Sequence, residues 1–185
     1  MFSKKHILLT LVVAGLFFQS CDSLRTIKLT YRFLHSKLAL PTKMIKVENG
    51  QDYECEYSAD IPVYVIYYSP EECSECALNH MIANKPYFDF SRRQGNFETI
   101  VVVAPKREIY SEVISLAKQL AFPNPIYIDF DHYLEKQSVI PQDDRFHSFL
   151  LDTEGDVCYI GRPLSSQSSQ RQFIKCLSEI KAKEI

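Results

Sequence analysis

The fold is decided by one stretch, Ile61-Pro62-Val63-Tyr64-Val65-Ile66-Tyr67-Tyr68-Ser69-Pro70-Glu71-Glu72-Cys73-Ser74-Glu75-Cys76. Its first half, Ile61 to Tyr68, is almost wholly apolar and rich in β-branched and aromatic residues, as is typical of a strand covered on both faces. Ser69-Pro70 ends this strand, and two cysteines separated by two residues follow at once. A helix is predicted from about Ser74 to Lys85, with Pro86 ending or kinking it. The stretch therefore places a dithiol where a buried strand gives way to a helix.

Strands and helices alternate in the rest of the chain. Further buried strands are predicted at Thr99 to Ala104 and Ile126 to Phe130, with an amphipathic helix between them. Phe146 to Leu151 and Val157 to Ile160 lie so close in sequence that they must form an antiparallel hairpin. A final helix follows this hairpin. The expected architecture is α/β, with a central mixed β-sheet flanked by helices.

Two features precede this core pattern. The dipeptide Asn49-Gly50 favours a tight hairpin between two short strands, because both residues tolerate positive φ. Before it, a helix is predicted to begin at Ser23 and to end before Pro41. It carries one apolar stripe, formed by Leu24, Ile27, Tyr31, Leu34 and Leu38. This helix is expected to pack on the domain or to space it from a membrane.

The N-terminus has the pattern of an export signal. Lys4 and Lys5 precede an apolar stretch, Ile7 to Phe18, that is too short to cross a bilayer as a helix. The stretch ends at Phe18-Gln19-Ser20-Cys21, which resembles a bacterial lipobox in which Cys21 is acylated. An uncleaved signal anchor and a plain signal peptide are the alternatives. We expect a lipid-anchored protein of the bacterial cell envelope, on the periplasmic side or the cell surface.

These patterns divide the chain into three parts. Residues 1–20 are interpreted as a lipoprotein signal peptide, residues 21–58 as a lipid-anchored extension of helix and hairpin, and residues 59–185 as the main domain. Charge is nearly balanced, with 21 basic and 23 acidic residues. No basic surplus points to nucleic acid, so we expect no such partner.

The dithiol is the candidate catalytic site. A helix N-terminus presents unpaired N–H groups and a positive partial charge, which stabilise a thiolate and lower the pKa of its thiol. Cys73 is therefore predicted to be the exposed, attacking nucleophile. Cys76, one turn along, is predicted to be the more buried, resolving thiol of an exchange reaction. The alternative is a purely structural disulfide that holds the loop closed and takes no part in exchange.

Residues 61–160 resemble the thioredoxin superfamily, most closely its exported TlpA-like thiol-disulfide oxidoreductases and a branch of small redox lipoproteins. The strand leading into Cys73-Ser74-Glu75-Cys76 carries this resemblance, and Phe149-Leu150-Leu151-Asp152-Thr153-Glu154-Gly155-Asp156-Val157 is similar to the family's FLID-x-x-G-x-V hairpin. The resemblance implies a thioredoxin-like fold and disulfide reduction in cysteine-containing exported proteins. An upstream dithiol would donate the electrons, so no diffusible cofactor is expected.

The sequence departs from this family where a cis-proline usually faces the dithiol. Phe146 stands at the matching position, with Arg145 before it, so both are candidates for substrate binding or for tuning the dithiol. Tyr67 stands where many thioredoxins place a buried acid. An acidic cluster of Glu71, Glu72 and Glu75 should oppose thiolate formation. We expect Arg145 to offset that cluster partly.

Other cysteines and histidines allow alternative interpretations. Cys158 and Cys176 could form a structural disulfide, although burial without bonding is favoured. Cys55 has no evident partner. A zinc or copper site could be formed by Cys73, Cys76, His80 and His147, although solvated histidines are the more ordinary explanation. The competing functions are thus a metal carrier and a non-enzymatic interaction module.

Overall fold

The computed structural model describes residues 23–183, so the predicted signal peptide and Cys21 lie outside the described residues. The helices and strands, in chain order, are α1 (23–34), β1 (Lys43–Glu48), β2 (Gln51–Glu56), β3 (Val63–Tyr68), α2 (Ser74–Asn79), α3 (Lys85–Gln94), β4 (Glu98–Val103), α4 (Tyr110–Leu120), β5 (Ile126–Ile128), α5 (Tyr133–Lys136), β6 (Ser148–Leu151), β7 (Val157–Ile160) and α6 (Gln167–Lys183). Short 3₁₀ turns occur at Met81–Asn84, Arg107–Ile109 and Asp144–Phe146. Within residues 23–183, no helix combines the length and apolarity that a membrane crossing requires.

The strands form one mixed sheet in the order β2-β1-β5-β4-β3-β6-β7. The strands β3, β4 and β5 are parallel neighbours, whereas β3 pairs antiparallel with β6 and β6 pairs antiparallel with β7. A parallel pair that begins with the strand leading to the CxxC motif, followed by an antiparallel hairpin and a closing helix, is the thioredoxin-like arrangement. The predicted fold class is confirmed.

Both faces of the sheet are covered, because alternate residues of β3 point to opposite sides. Tyr64 and Ile66 belong to a core that includes residues of α2, α3, α4 and α6. Val65 and Tyr67 belong to a second core, which includes residues of α1 and α5. The dithiol loop therefore emerges from a strand that is fixed from both sides.

The N-terminal hairpin is continuous with the main sheet. Asn49 and Gly50 both have positive φ, 54° and 77°, as the predicted tight turn requires. β1 pairs with β2 on one side and with β5 on the other. The segment assigned to an extension thus supplies two strands of the same sheet.

The helix after the dithiol differs from its prediction. α2 ends at Asn79, six residues after it begins, and a 3₁₀ turn separates it from α3. Pro86 lies in the first turn of α3 and so starts a helix, where its missing N–H leaves no hydrogen bond unmade. Phe88 and Phe90 of α3 are buried, as expected of core residues.

The apolar stripe predicted on the first helix is divided: Leu38 lies beyond α1 and is buried, whereas the residues near the start of the helix face outward. Leu24, Ile27 and Tyr31 are each about two-thirds exposed. The helix instead packs through Phe33, which is buried edge-on against Phe149. The helix begins at Ser23 as predicted, but it ends at residue 34 rather than at Pro41, and its packing face is not the stripe that the periodicity suggested.

Candidate active site

Cys73 and Cys76 form a disulfide at the start of α2, with their Cα atoms 5.2 Å apart. Both residues are exposed. Ala77 and Leu78, in the same helix, are buried and hold α2 against the sheet. The disulfide is thus presented to solvent by a well-anchored helix. Cys76 was predicted to be the more buried, resolving thiol, but it is exposed like Cys73. Exposure therefore does not distinguish the roles of the two cysteines.

The backbone of α2 provides local support for a thiolate at Cys73. Cys73 is the N-cap residue, and its Sγ atom accepts a hydrogen bond from the backbone N–H of Cys76 at 3.2 Å. The carbonyl of Cys73 accepts the N–H of Ala77 at 2.9 Å. Because α2 has only six residues, the hydrogen bond from the N–H of Cys76 contributes more to stabilising a Cys73 thiolate than any macrodipole of the helix. It distinguishes Cys73 from Cys76 as the better-stabilised thiolate.

A histidine and a glutamate pair directly beside the disulfide. Nδ1 of His147 lies 3.0 Å from Oε2 of Glu72, and Nε2 of His147 lies 3.0 Å from the carbonyl oxygen of Pro141. Glu72 also accepts the backbone N–H of Ser69 at 2.7 Å. Burial opposes ionisation of Glu72, but the hydrogen bonds from His147 and Ser69 hold the pKa of that carboxyl below its usual value.

Sequence reasoning missed this pair. It noted His147 only as an alternative metal ligand and Glu72 only as one of three acids. The two residues lie 75 positions apart, and the contact exists because β6 pairs with β3. The N–H of Tyr67 donates to the carbonyl of His147 at 2.8 Å, which continues that pairing up to the dithiol loop.

The remaining acids near the disulfide face water. Glu71 lies 3.9 Å from Nζ of Lys106, and both side chains are exposed. Glu75 lies in the first turn of α2 and is exposed. Exposed pairs of this kind contribute little to stability. They still add negative charge around the thiol, so the predicted acidic surroundings are present, with the ammonium group of Lys106 facing Glu71.

Tyr67 lies under the loop with a buried hydroxyl. The residue is 3% exposed, and its Oη atom has no hydrogen-bond partner among the described residues. Burial raises its pKa, with further contributions from Asp129, Glu135 and Glu72. Tyr67 therefore stays neutral at physiological pH and cannot serve as the proton acceptor that an acid at this position would provide.

A groove of about 780 Å³ opens beside the dithiol loop. One wall is formed by Tyr67, Ser69 and Glu71, and His147 also lines it. The opposite wall comes from the segment between α5 and β6, through Glu135, Ser138, Ile140, Pro141 and Gln142. Its volume suits a short peptide segment or a small molecule.

Arg145 and Phe146 occupy different surroundings from those expected. The guanidinium of Arg145 donates to Asp143, with Nε 2.8 Å from Oδ1, and lies within reach of Thr26 in α1. This pairing lowers the pKa of Asp143 to about 2. Phe146 is buried in the core edge-on to Phe33, so its ring offers no surface to a substrate.

The peptide bonds around Phe146 are trans, since no cis bond occurs within residues 23–183. Position 146, which the sequence resemblance aligned with a cis-proline, is therefore an ordinary core position. Arg145 and Phe146 remain predictions as tuning residues, but their side chains are directed to Asp143 and the core.

The other predicted sites are not assembled. Across residues 23–183, no three His, Cys, Asp or Glu side chains are grouped to hold a metal, so Cys73, Cys76, His80 and His147 do not form a ligand set. Cys55, Cys158 and Cys176 are thiols. The Sγ atom of Cys176 instead donates to the carbonyl of Cys158 at 3.3 Å, so the two form no disulfide, and both are half-buried rather than buried.

In comparisons with known proteins, similarity was found to solved structures at low sequence identity. No family model and no curated protein matches the chain. Similar solved structures include an exposed lipoprotein thioredoxin of Streptococcus pneumoniae, at 18% identity and TM-score 0.44 over 71% of this chain and 98% of that one. A 2-Cys peroxiredoxin of Plasmodium vivax is similar at 18% identity and TM-score 0.47, over 82% of each chain.

An uncharacterised thioredoxin-like protein of Porphyromonas gingivalis is similar at 15% identity and TM-score 0.43, over 79% of this chain and 94% of that one. The strand order and the position of the disulfide carry the assignment. The chain has a thioredoxin-like fold with a CxxC disulfide.

Proposed function

We propose that this protein is a thiol-disulfide oxidoreductase that exchanges electrons with cysteine-containing exported proteins through Cys73 and Cys76. The observation that carries the proposal is an exposed CxxC disulfide at the start of α2, in a thioredoxin-like fold, with Cys73 at the N-cap. A purely structural disulfide would not need to be exposed. This one closes a loop of only a few residues, so it restricts the unfolded chain little.

The reaction is a pair of thiol-disulfide exchanges. In the reduced protein, the Cys73 thiolate attacks a disulfide of the client, forming a mixed disulfide and releasing one client thiolate. Cys76, deprotonated, then attacks Sγ of Cys73, which restores the Cys73–Cys76 disulfide and releases the second client thiolate. Two electrons pass to the client, and a second dithiol returns them to the protein. Protons from solvent then convert the released client thiolates to thiols.

The groove beside Tyr67 is the proposed client-binding surface. It lies against the dithiol loop, and Ser69, Glu71 and His147 are among its lining residues. A client segment held there would bring its cysteine towards Cys73. Because no cis-proline is available, we propose that side chains of this groove, rather than a fixed backbone edge, hold the client.

The proposed cellular setting follows from the N-terminal sequence. Residues 1–20 would export the chain, and acylation of Cys21 would attach it to the cell envelope. Outside the cytosol, disulfides persist and reducing power must be delivered by a partner dithiol. We propose a reducing role, with an upstream dithiol protein as the donor.

The experiment is mixed-disulfide trapping with the full chain carrying Cys76→Ser. Without the resolving thiol, Cys73 should hold client proteins as covalent adducts that reducing agent releases. Adding Cys73→Ser should abolish them, whereas adding Cys55→Ser, at a half-buried thiol outside the site, should not. No adduct, or an adduct that persists without Cys73, would contradict the proposal.

One observation favours a non-enzymatic interaction module as the competing function. Residues 23–183 contain no cis peptide bond, so the usual client-binding element of the family is missing. A module of this kind would bind partners equally well with both cysteines replaced by serine. The trapping experiment separates the two functions, since only exchange chemistry requires Cys73.

A further inference from the structure

α1 carries an apolar stripe that the fold does not use. Leu24, Ile27 and Tyr31 are 64%, 65% and 65% exposed, and Leu34 continues the same line. Their spacing of three and four residues places them on one side of the helix. A stripe of large apolar side chains that faces water usually marks a contact surface.

The opposite side of α1 already holds the helix in place. Phe33 is 1% exposed and packs edge-on against Phe146 and Phe149. Leu29 lies against the same core. The outward stripe is thus available to another partner while α1 stays docked on the domain.

A basic stripe runs beside the apolar one. Arg25, Lys28 and Arg32 are exposed and follow the same spacing, one position along from Leu24, Ile27 and Tyr31. Residues 23–47 contain six basic and no acidic residues, whereas residues 48–185 contain 13 basic and 22 acidic residues. Positive charge is therefore concentrated at this end of an otherwise acidic chain, and it complements an anionic surface.

The sequence before α1 indicates which surface lies nearby. An uncharged stretch, Ile7 to Ser20, leads to Cys21, which stands three residues before Leu24. An extended chain covers at most about 3.6 Å per residue, so Leu24 lies within roughly 11 Å of Cys21. If either the apolar stretch or a lipid on Cys21 enters a bilayer, α1 begins at its surface.

We propose that the outward side of α1 lies on the surface of an anionic phospholipid bilayer. Leu24, Ile27 and Tyr31 enter the boundary between headgroups and acyl chains, and the basic stripe contacts the phosphates. The inference rests on the proposed membrane attachment and not on the redox activity. Because α1 packs on Phe146, next to His147, this contact fixes the orientation of the dithiol relative to the membrane.

The test uses tryptophan fluorescence, since the chain contains no tryptophan. Full-length protein with Tyr31→Trp is reconstituted into phosphatidylcholine vesicles, with or without phosphatidylglycerol, that contain brominated lipid as a quencher. The matched control is Tyr53→Trp, because Tyr53 is an exposed aromatic residue on β2, the edge strand at the far end of the sheet from β7. The tryptophan at position 31 should be quenched in vesicles with phosphatidylglycerol, and the control should not.

Charge dependence is tested by combining Tyr31→Trp with Arg25→Gln, Lys28→Gln and Arg32→Gln. Each lost cation should weaken docking roughly fivefold, so quenching should fall sharply, as it should at high salt. Equal quenching of both tryptophans, or quenching independent of phosphatidylglycerol, would overturn the proposal. A blue shift without bromolipid quenching, together with protein–protein cross-links, would assign the stripe to a protein contact and also overturn it.

The outcome is independent of the redox proposal. Tyr31→Trp should leave mixed-disulfide trapping unchanged, because Tyr31 does not contribute to the dithiol loop. Loss of trapping with retained quenching would contradict the enzyme function alone. Retained trapping without quenching would contradict the membrane contact alone.

Discussion

The ring of His147 lies between the carboxylate of Glu72 and the carbonyl of Pro141, 3.0 Å from each. Both partners are hydrogen-bond acceptors, and each faces one of the two ring nitrogens of His147. The arrangement places the imidazole ring against the acid that directly precedes Cys73. Although burial opposes ionisation of Glu72, the hydrogen bond with this ring helps to hold the pKa of that carboxyl below its usual value.

The Glu72–His147 pair should make stability depend on pH in the acid range. The folded pKa of Glu72 lies below its ordinary value of 4.5, so ionised Glu72 stabilises the fold above that pH. This contribution is lost as pH falls through the folded pKa. Glu72→Gln should therefore lower the free energy of unfolding at pH 7 by about 1 to 2 kcal/mol and flatten its decline towards low pH.

Urea unfolding of the oxidised protein at several pH values measures this. The control is Glu71→Gln, because Glu71 is the neighbouring acid and its side chain is 79% exposed. That variant should differ from wild type by less than about 0.5 kcal/mol. Identical pH profiles for the two variants would show that the pair does not stabilise the fold.

His147 should also control the reactivity of Cys73. His147→Gln removes the imidazole ring from beside Glu72, so the negative charge of that carboxylate is less well offset and the pKa of the Cys73 thiol should rise. Alkylation of the reduced protein near neutral pH should slow roughly two- to fivefold. Arg145→Ala is the control, because its charge is already paired with Asp143, and it should change the rate little. A larger effect of Arg145→Ala than of His147→Gln would reverse this assignment.

Tyr67→Phe should stabilise the protein. Its hydroxyl is buried without a partner among the described residues, so removing it eliminates a desolvation cost of about 1 kcal/mol. Tyr64→Phe is the control for which the opposite effect is expected, because the hydroxyl of Tyr64 donates to the carbonyl of Gly161 at 3.1 Å. That variant should lose about 1 kcal/mol. Chemical denaturation of both variants tests the difference, and a loss of stability in Tyr67→Phe would indicate an unrecognised partner.

Gly155 should tolerate no side chain. Its φ is +86°, and a Cβ atom there would lie 2.7 Å from the carbonyl oxygen of Leu38, whose own N–H donates to Gly155. Gly155→Ala should cost about 2 to 3 kcal/mol, from backbone strain and this close contact. Gly95→Ala has positive φ but open space around it, and should cost about 1 kcal/mol. Equal melting-temperature losses in the two variants would exclude the contact as a cause.

Much of the fold followed from the sequence because its signals are local. The continuous apolar run of Val63 to Tyr68 specifies a strand buried on both faces, and Asn49-Gly50 specifies a tight turn. The short connection between β6 and β7 requires an antiparallel pair. The dithiol was located for the same reason, since it directly follows a strand and begins a helix.

The surroundings of the dithiol could not be inferred in this way. Arg145 was the expected counter-charge, but it pairs with Asp143 two residues away, and His147 faces Glu72 instead. Arg145 lies in the 3₁₀ turn Asp144–Phe146 and His147 ends that turn, so the path of the turn into β6 decides which of them faces the loop. Sequence periodicity does not predict the path of such a turn.

What the sequence alone determined is the order of strands and helices and the position of the reactive cysteines, because burial and turn geometry are set by adjacent residues. Only the tertiary structure decided that His147 meets Glu72 and that α1 buries Phe33 while Leu24, Ile27 and Tyr31 face outward. α1 has apolar side chains on two sides, so its own periodicity permits either packing. The aromatic site formed by Phe146 and Phe149 accepts Phe33, and that fit selects the face.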